Sequence, residues 1–260
     1  MSRENETEEG GLGEGTLMSH LIELRSRLLK IAAAVVLVFV GLLPFSRQIF
    51  EFVSEPLRAV LPSGQMIATA VASPLLAPFK LTFYVALFIA MPIVLYQIWA
   101  FVAPGLYMKE KRFALPLLAS SITLFYAGVA FAYFVVFPLI FGFMTAIAPA
   151  GVEVMTDVTA YLDFIMMLVL AFGIAFEVPV AAVLIVWTGL TTTEKLGKAR
   201  PYVFLGAFVV GMLLTPPDVI SQTLLAVPVY LLYELGIIMA RIFTAAKREE
   251  GEDAVTEDEQ

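Results

Sequence analysis

His20-Leu21-Ile22-Glu23-Leu24-Arg25-Ser26-Arg27-Leu28-Leu29-Lys30 stands at the entrance to a long apolar run. Read as a helix, it places Leu21, Leu24 and Leu28 on one side, at i, i+3 and i+7. Glu23 and Arg27 are four residues apart, within reach of a side-chain pair. The three basic residues immediately precede the apolar run, so the helix lies at a membrane surface and then enters it. By spacing alone the stretch is a juxtamembrane anchor with an ordinary surface ion pair.

Working outward, composition sets the class. The 260 residues are 60% apolar and only 15% charged, with a mean hydropathy of +0.89. That balance belongs to a bilayer. Residues 1–16 are polar and acidic and lack the pattern of a cleavable signal. With no cysteine there is no disulfide framework, thiolate nucleophile or thiolate metal site, and the single histidine excludes multi-histidine metal centres. The net charge of −7 misleads, because segments 1–16 and 249–260 hold twelve of the 23 acidic residues and one basic residue, Arg3. The remainder is net positive. The division expected is an acidic disordered tail over 1–16, a transmembrane domain over 17–245 and a second acidic disordered tail over 246–260.

Six apolar segments follow in order. The first runs from about Leu28 to Phe45, and a loop with an amphipathic piece (Ile49, Phe50, Phe52, Val53) stopping near Pro56 leads to the second, about Leu75 to Val102. A short connection with Lys109-Glu110-Lys111-Arg112 precedes the third, about Phe113 to Phe143, which is long enough to tilt or protrude. The fourth covers about Leu162 to Trp187, the fifth Val203 to Leu214, and the sixth about Val219 to Ile242 after a tight Thr215-Pro216-Pro217-Asp218 turn. Twelve basic residues fall on one side of this arrangement and only Arg47, Arg58 and Lys80 on the other. The positive-inside rule makes the first side cytoplasmic, with both termini inside.

Two features are unusual. A fifth apolar run of twelve residues reaches roughly 18 Å against a hydrocarbon core near 30 Å. The alternative is a re-entrant or poorly delimited helix; the preferred reading is a genuine short helix, with the sixth as a second candidate for shortness, that thins the bilayer around spans five and six. Glu177 lies inside the fourth run beside Pro179, which cannot donate to the carbonyl of Ala175. An acid there is costly. It either satisfies freed backbone groups or forms a functional polar site. Glu234, in the sixth run, lies within reach of Arg241 or water. No nucleotide-binding loop, HExxH motif or hydrolase elbow is present, so the chain is expected to be no enzyme.

The words of the opening stretch go further than its spacing. HLIELRSRL (20–28) resembles the N-terminal signature of the TatC family, the polytopic subunit of the twin-arginine (Sec-independent) protein translocase. The resemblance extends through MIATAVASP (66–74), KLTFYVAL (80–87), LYQIWAFVAPGLY (95–107), KEKR (109–112), FAYFVVFP (131–138), FGIAFEVPV (172–180) and KARPYVFLGAFVVGMLLTPPDVISQT (198–223). It implies an all-α, six-helix, glove-shaped concave bundle with both termini cytoplasmic. It implies a receptor in the bacterial or archaeal cytoplasmic membrane for the twin-arginine signal peptides of folded proteins. The implied partners are TatB and TatA, with further copies of the chain in the receptor complex, a proton-motive force as energy source, no cofactor, no metal and no nucleic acid. By position, Glu23, Arg25, Phe101 and Glu110 match the signal-contact residues. Pro56 and Asp218 match structural loop positions, Glu177 the intramembrane acid, and Met212, Thr215 and Gln222 the zone that receives a partner helix. Where many members carry Asp after Met-Ile-Ala-Thr, this chain has Ala70. The alternative is a proton-coupled small-solute transporter using Glu177 as its proton site.

Overall fold

The computed structural model describes residues 5–60, 66–102, 111–147, 156–215 and 219–258. Among the described residues, six helices are long and apolar enough to cross a membrane: Met18–Glu55, Ser73–Phe101, Leu115–Ala146, Val158–Trp187, Thr193–Leu214 and Val219–Thr244. Among the described residues there is no strand, only one isolated bridge between Ile67 and Asp157. The fifth span is the shortest, 22 residues, and the sixth the next, 26. The fifth helix nevertheless begins ten residues before its apolar run. Its first turns carry Glu194, Lys195, Lys198 and Arg200, and Thr192 caps them by accepting from the Lys195 amide.

The helices are α1 (Asn5–Leu42), α2 (Ser46–Val60), α3 (Ser73–Val102), α4 (Lys111–Phe131), α5 (Phe137–Ala146), α6 (Val158–Ala175), α7 (Val178–Trp187), α8 (Thr193–Leu214) and α9 (Val219–Asp258). A single 3-10 turn, Leu43–Phe45, joins α1 to α2, and a π-helical segment, Ala132–Val136, joins α4 to α5 within the third span. The amphipathic piece expected to stop near Pro56 continues to Val60. Proline costs a helix its amide donor, but its fixed φ is compatible with helical backbone. Helical backbone runs from Asn5 in α1 and as far as Asp258 in α9. Once a helix is nucleated, each added residue gains a hydrogen bond, so glutamate-rich ends extend it at little cost.

The chain divides into two compact units. The first comprises Met1–Glu51 and Pro78–Ile122. Its interior holds Leu81, Ala86, Ala90, Val94, Leu95 and Trp99 from α3 and Leu117, Leu118 and Ser121 from α4. The Trp99 indole N–H donates to the Ser121 hydroxyl at 3.2 Å, satisfying a polar group that lipid could not. Helix α1 contributes little to this interior. Only 6% of its most apolar window is buried, against 33–50% in the second, third, fourth and sixth spans, so its wall faces lipid or a partner.

The second unit comprises Phe52–Ala77 and Thr123–Gln260. Phe125, Phe137, Ile140, Tyr161, Ile165, Leu168, Phe172, Leu225 and Ile237 are almost completely buried there. Helix α9 packs along both α7 and α8. Close approaches occur at glycines, as packing without a hydrophobic drive requires. A Cβ on Gly128 would lie 2.6 Å from the carbonyl oxygen of Phe172, and one on Gly236 3.0 Å from the Cα of Pro179. At Gly173 the space is filled by the ring of Phe125.

Asp157 organises one end of this unit. It is the N-cap of α6, its Oδ1 accepting from the amides of Thr159 at 2.9 Å and Ala160 at 3.0 Å. Its Oδ2 accepts from the Thr69 amide at 2.9 Å and the Thr69 hydroxyl at 2.7 Å. Backbone bonds Ile67 N–H to Thr156 and Val158 N–H to Ile67 complete the latch. The amides of Ala160 and Thr69, then the Thr69 hydroxyl, hold the carboxyl down from 3.8 to about 2. Since the folded state lowers this pKa, its contribution is present above the ordinary aspartate range and is lost as pH falls toward about 2. The difference in unfolding temperature between the wild type and Asp157→Asn should stay constant above pH 4 and shrink steadily below it. A difference unchanged down to pH 2 would mean that charge plays no part in the latch.

Candidate functional site

The opening stretch lies on α1, and it holds the first candidate surface. Arg27 donates from Nε to Oε1 of Glu23 at 3.0 Å, and its Nη2 bonds the same oxygen. Its Nη1 reaches Oε1 of Gln97 at 3.4 Å, a buried side chain of α3. Arg27 is therefore a strut: it ties Glu23 to its own helix and that turn to the next. Both Arg27 bonds to the carboxylate land on Oε1, so Oε2 has no partner among the described residues. The Glu23 side chain remains 41% exposed. One turn earlier, the imidazole of His20 stacks on the ring of Phe101 with centroids 4.4 Å apart. Glu23, Phe101 and the exposed Arg25 thus lie on one unit, where His20 and Arg27 position two of them. Glu110 lies outside the described residues, as does Asp218. Pro56 stands within the backbone of α2.

Glu177 marks a break in the fourth span. Helix α6 ends at Ala175 and α7 starts at Val178, so Phe176 and Glu177 form a turn between two halves of one crossing. Pro179 in the first turn of α7 accounts for the break, since it has no amide to offer Ala175. The Glu177 backbone carbonyl accepts from Ala181 at 2.8 Å, but its side chain makes no cap hydrogen bond to α7. Its Oε1 is buried. The side chain therefore does not cap the half-helix that follows it. The break is held from both sides by the close glycines, Gly128 against the end of α6 and Gly236 against the start of α7.

The partner-helix candidates lie at the meeting of α8 and α9, with different surroundings. Met212 is exposed, alongside Leu205, Val209 and Leu213 on the same helix. Thr215 is buried, its hydroxyl donating to the carbonyl of Gly211 at 3.0 Å. The Gln222 amide donates to the carbonyl of Phe208 at 2.8 Å, pinning α9 to α8 where Gly211 leaves room for its side chain. Met212 offers open surface, while Thr215 and Gln222 shape the backbone beneath it. Ala70 is exposed, next to the Thr69 of the Asp157 latch.

Sequence reasoning missed a second polar device. Arg200 presents Nε and Nη2 to the two carboxylate oxygens of Glu234, each at 2.7 Å. Tyr230 donates to the same carboxylate at 3.0 Å, and the Tyr233 hydroxyl donates to the Leu196 carbonyl at 2.7 Å. Beyond the expected reach toward Arg241 or water, Glu234 is held in this bidentate fork, which fastens the charged turns of α8 to α9. The signal was available: a lone acid in an apolar run requires a partner, and an arginine preceded the adjacent run. Asp157, too, was legible as a capping residue just before an apolar segment.

A family model described as Sec-independent protein translocase protein (TatC) matches residues 19–228. A Sec-independent protein translocase protein TatC of Azotobacter chroococcum mcd 1 is 61% identical over 87% of this chain and 89% of its own. That of Escherichia coli (strain K12) is 57% identical over 89% of this chain and 90% of its own. Among solved structures, a crystal structure of the twin arginine translocase receptor TatC superposes with a TM-score of 0.78 at 37% identity, covering 86% of this chain and 99% of that one. The matched region includes the α1 surface, the broken fourth span, all of α8 and the start of α9, and on these grounds the chain belongs to the TatC family, a multi-pass membrane component of the Sec-independent protein translocase.

Proposed function

We propose that this chain is the receptor that binds twin-arginine signal peptides and nucleates assembly with TatB and TatA for export of folded proteins driven by the proton-motive force. The observation that carries the reading is the Glu23 carboxylate, held in place through Oε1 by Arg27 while Oε2 faces no donor among the described residues. An arginine fork is a planar multiple donor that a lysine cannot copy. Two signal arginines need two acceptors, and Glu110, set among Lys109, Lys111 and Arg112, supplies the second. Arg25 and Phe101 complete the contact surface. Six crossings and the one-sided basic residues support a cytoplasmic-membrane protein with both termini inside. Glu177 serves as a polar site within the membrane, and the exposed wall around Met212, shaped by Thr215 and Gln222, receives a partner helix. Pro56 and Asp218 shape the loops on the opposite side.

The absence of cysteine makes the test direct. Ser19→Cys lies one turn before Glu23 and leaves the carboxylate intact. It should crosslink to a thiol-reactive Arg-Arg signal peptide several-fold more than to its Lys-Lys counterpart. Equal labelling by the two peptides would overturn the assignment.

A further inference from the structure

Helix α1 carries a shallow groove of about 450 Å³ lined by Ile22, Arg25, Ser26, Leu29, Lys30 and Ala33. These six positions form a continuous face at helical spacing, with Ile22, Ser26, Leu29 and Ala33 along the floor and the two cations at its edges. Arg25 and Lys30 are five residues apart, about 7.5 Å along the axis. Neither has an ion-pair partner among the described residues, whereas the third basic residue of the turn, Arg27, is engaged by Glu23 and Gln97. Two cations without an ion-pair partner among the described residues thus flank a serine at the point where the helix becomes apolar.

We infer that this groove binds the headgroup of an anionic phospholipid of the phosphatidylglycerol class, its phosphate held between Arg25 and Lys30 over Ser26. The Ser26 hydroxyl donates to a phosphate oxygen, as do the guanidinium and ammonium groups. Lys30, the deeper cation, turns its stem toward the headgroup layer and covers apolar floor as it does so. Ala33, the small residue at the deep end, leaves room for the first methylenes of an acyl chain against Leu29. Basic residues at this level attract anionic lipid by charge. What distinguishes the groove from general surface charge is its shape, two cations at the edges of a floor that carries one hydroxyl, on a helix whose most apolar window is only 6% buried.

Native mass spectrometry of the full chain, purified from equimolar phosphatidylglycerol and phosphatidylcholine, reads the retained lipid directly and needs no signal peptide. Arg25→Gln and Lys30→Gln should each reduce the preference for phosphatidylglycerol about fivefold. Ser26→Leu and Ala33→Phe fill the groove without changing charge and should reduce it too. Lys198→Gln, basic but outside the groove, should leave it unchanged. All four groove residues are exposed, so their variants should fold, which far-ultraviolet circular dichroism verifies. Equal losses in Lys198→Gln and Lys30→Gln would reduce the effect to surface charge and overturn the site. Full retention in both groove-filling variants would also overturn it. Displacement of the retained lipid by millimolar inorganic phosphate would assign the groove to a free anion instead.

Discussion

Glu23→Gln combined with Glu110→Gln should bind Arg-Arg and Lys-Lys signal peptides with about equal affinity. A charged hydrogen bond contributes roughly 1.5–3 kcal/mol in a favourable site and an exposed pair about 0–1. At a half-exposed carboxylate, each single variant should therefore weaken the Arg-Arg peptide by about 5- to 30-fold, with the Lys-Lys peptide affected less. The geometry sharpens the expectation. Because Arg27 takes Oε1 of Glu23, an incoming guanidinium meets Oε2 and shares the carboxylate with the strut. Arg27→Gln loosens Glu23 but leaves its charge, so it should cost less affinity than Glu23→Gln. Peptide titrations against both singles, the double and Arg27→Gln decide the matter. A double variant that keeps its Arg-Arg preference would sink the assignment. Equal losses in Arg27→Gln and Glu23→Gln would reduce Glu23 to a structural pair.

The second large effect belongs to Gly128, where one methyl group should unsettle the whole broken span. Its Cβ would stand 2.6 Å from the Phe172 carbonyl oxygen and 2.9 Å from Cγ of Phe176. The first is helix backbone and cannot rotate away. Overpacking of this kind typically costs about 1–3 kcal/mol. Gly128→Ala should lower the unfolding temperature in detergent, and Gly128→Leu should prevent accumulation of folded protein. Gly142→Ala is the matched control, since nothing lies within 4 Å of a Cβ there. Comparable unfolding temperatures for Gly128→Ala and Gly142→Ala would disprove the close contact.

The six spans and the Glu23–Arg27 pair were legible in the sequence because hydropathy and helical spacing are local properties. The partner of Glu234 was not. Reading the fifth span from Val203 left Arg200 in a connection, whereas the helix begins at Thr193 and carries Arg200 on the same cylinder. Charged residues can belong to a membrane helix without belonging to its apolar stretch, and only tertiary packing decides where that helix starts. The π segment at Ala132–Val136 was equally hidden, for an apolar run reads alike whichever carbonyl each amide meets. Glu177 was visible as an anomaly. That its residue is the turn between two half-helices required the backbone.

The bridge between Ile67 and Asp157 also counts membrane crossings. Two spans, Ser73–Phe101 and Leu115–Ala146, separate these residues in the chain, yet they face each other in a bridge, with Ile67 bonded to Thr156 and Val158 and Thr69 donating to Asp157. Opposite faces of a bilayer stand about 30 Å apart, so the latch closes only when the intervening chain has crossed an even number of times. A nascent chain that leaves one of those spans uninserted strands Thr69 and Asp157 on opposite faces. The amides at the start of α6 then keep their cap, but the 66–69 segment has nothing to close upon. Closure thus reports correct topology from within the molecule, a parity check completed as soon as the fourth span emerges and before the Arg200–Glu234 fork can form.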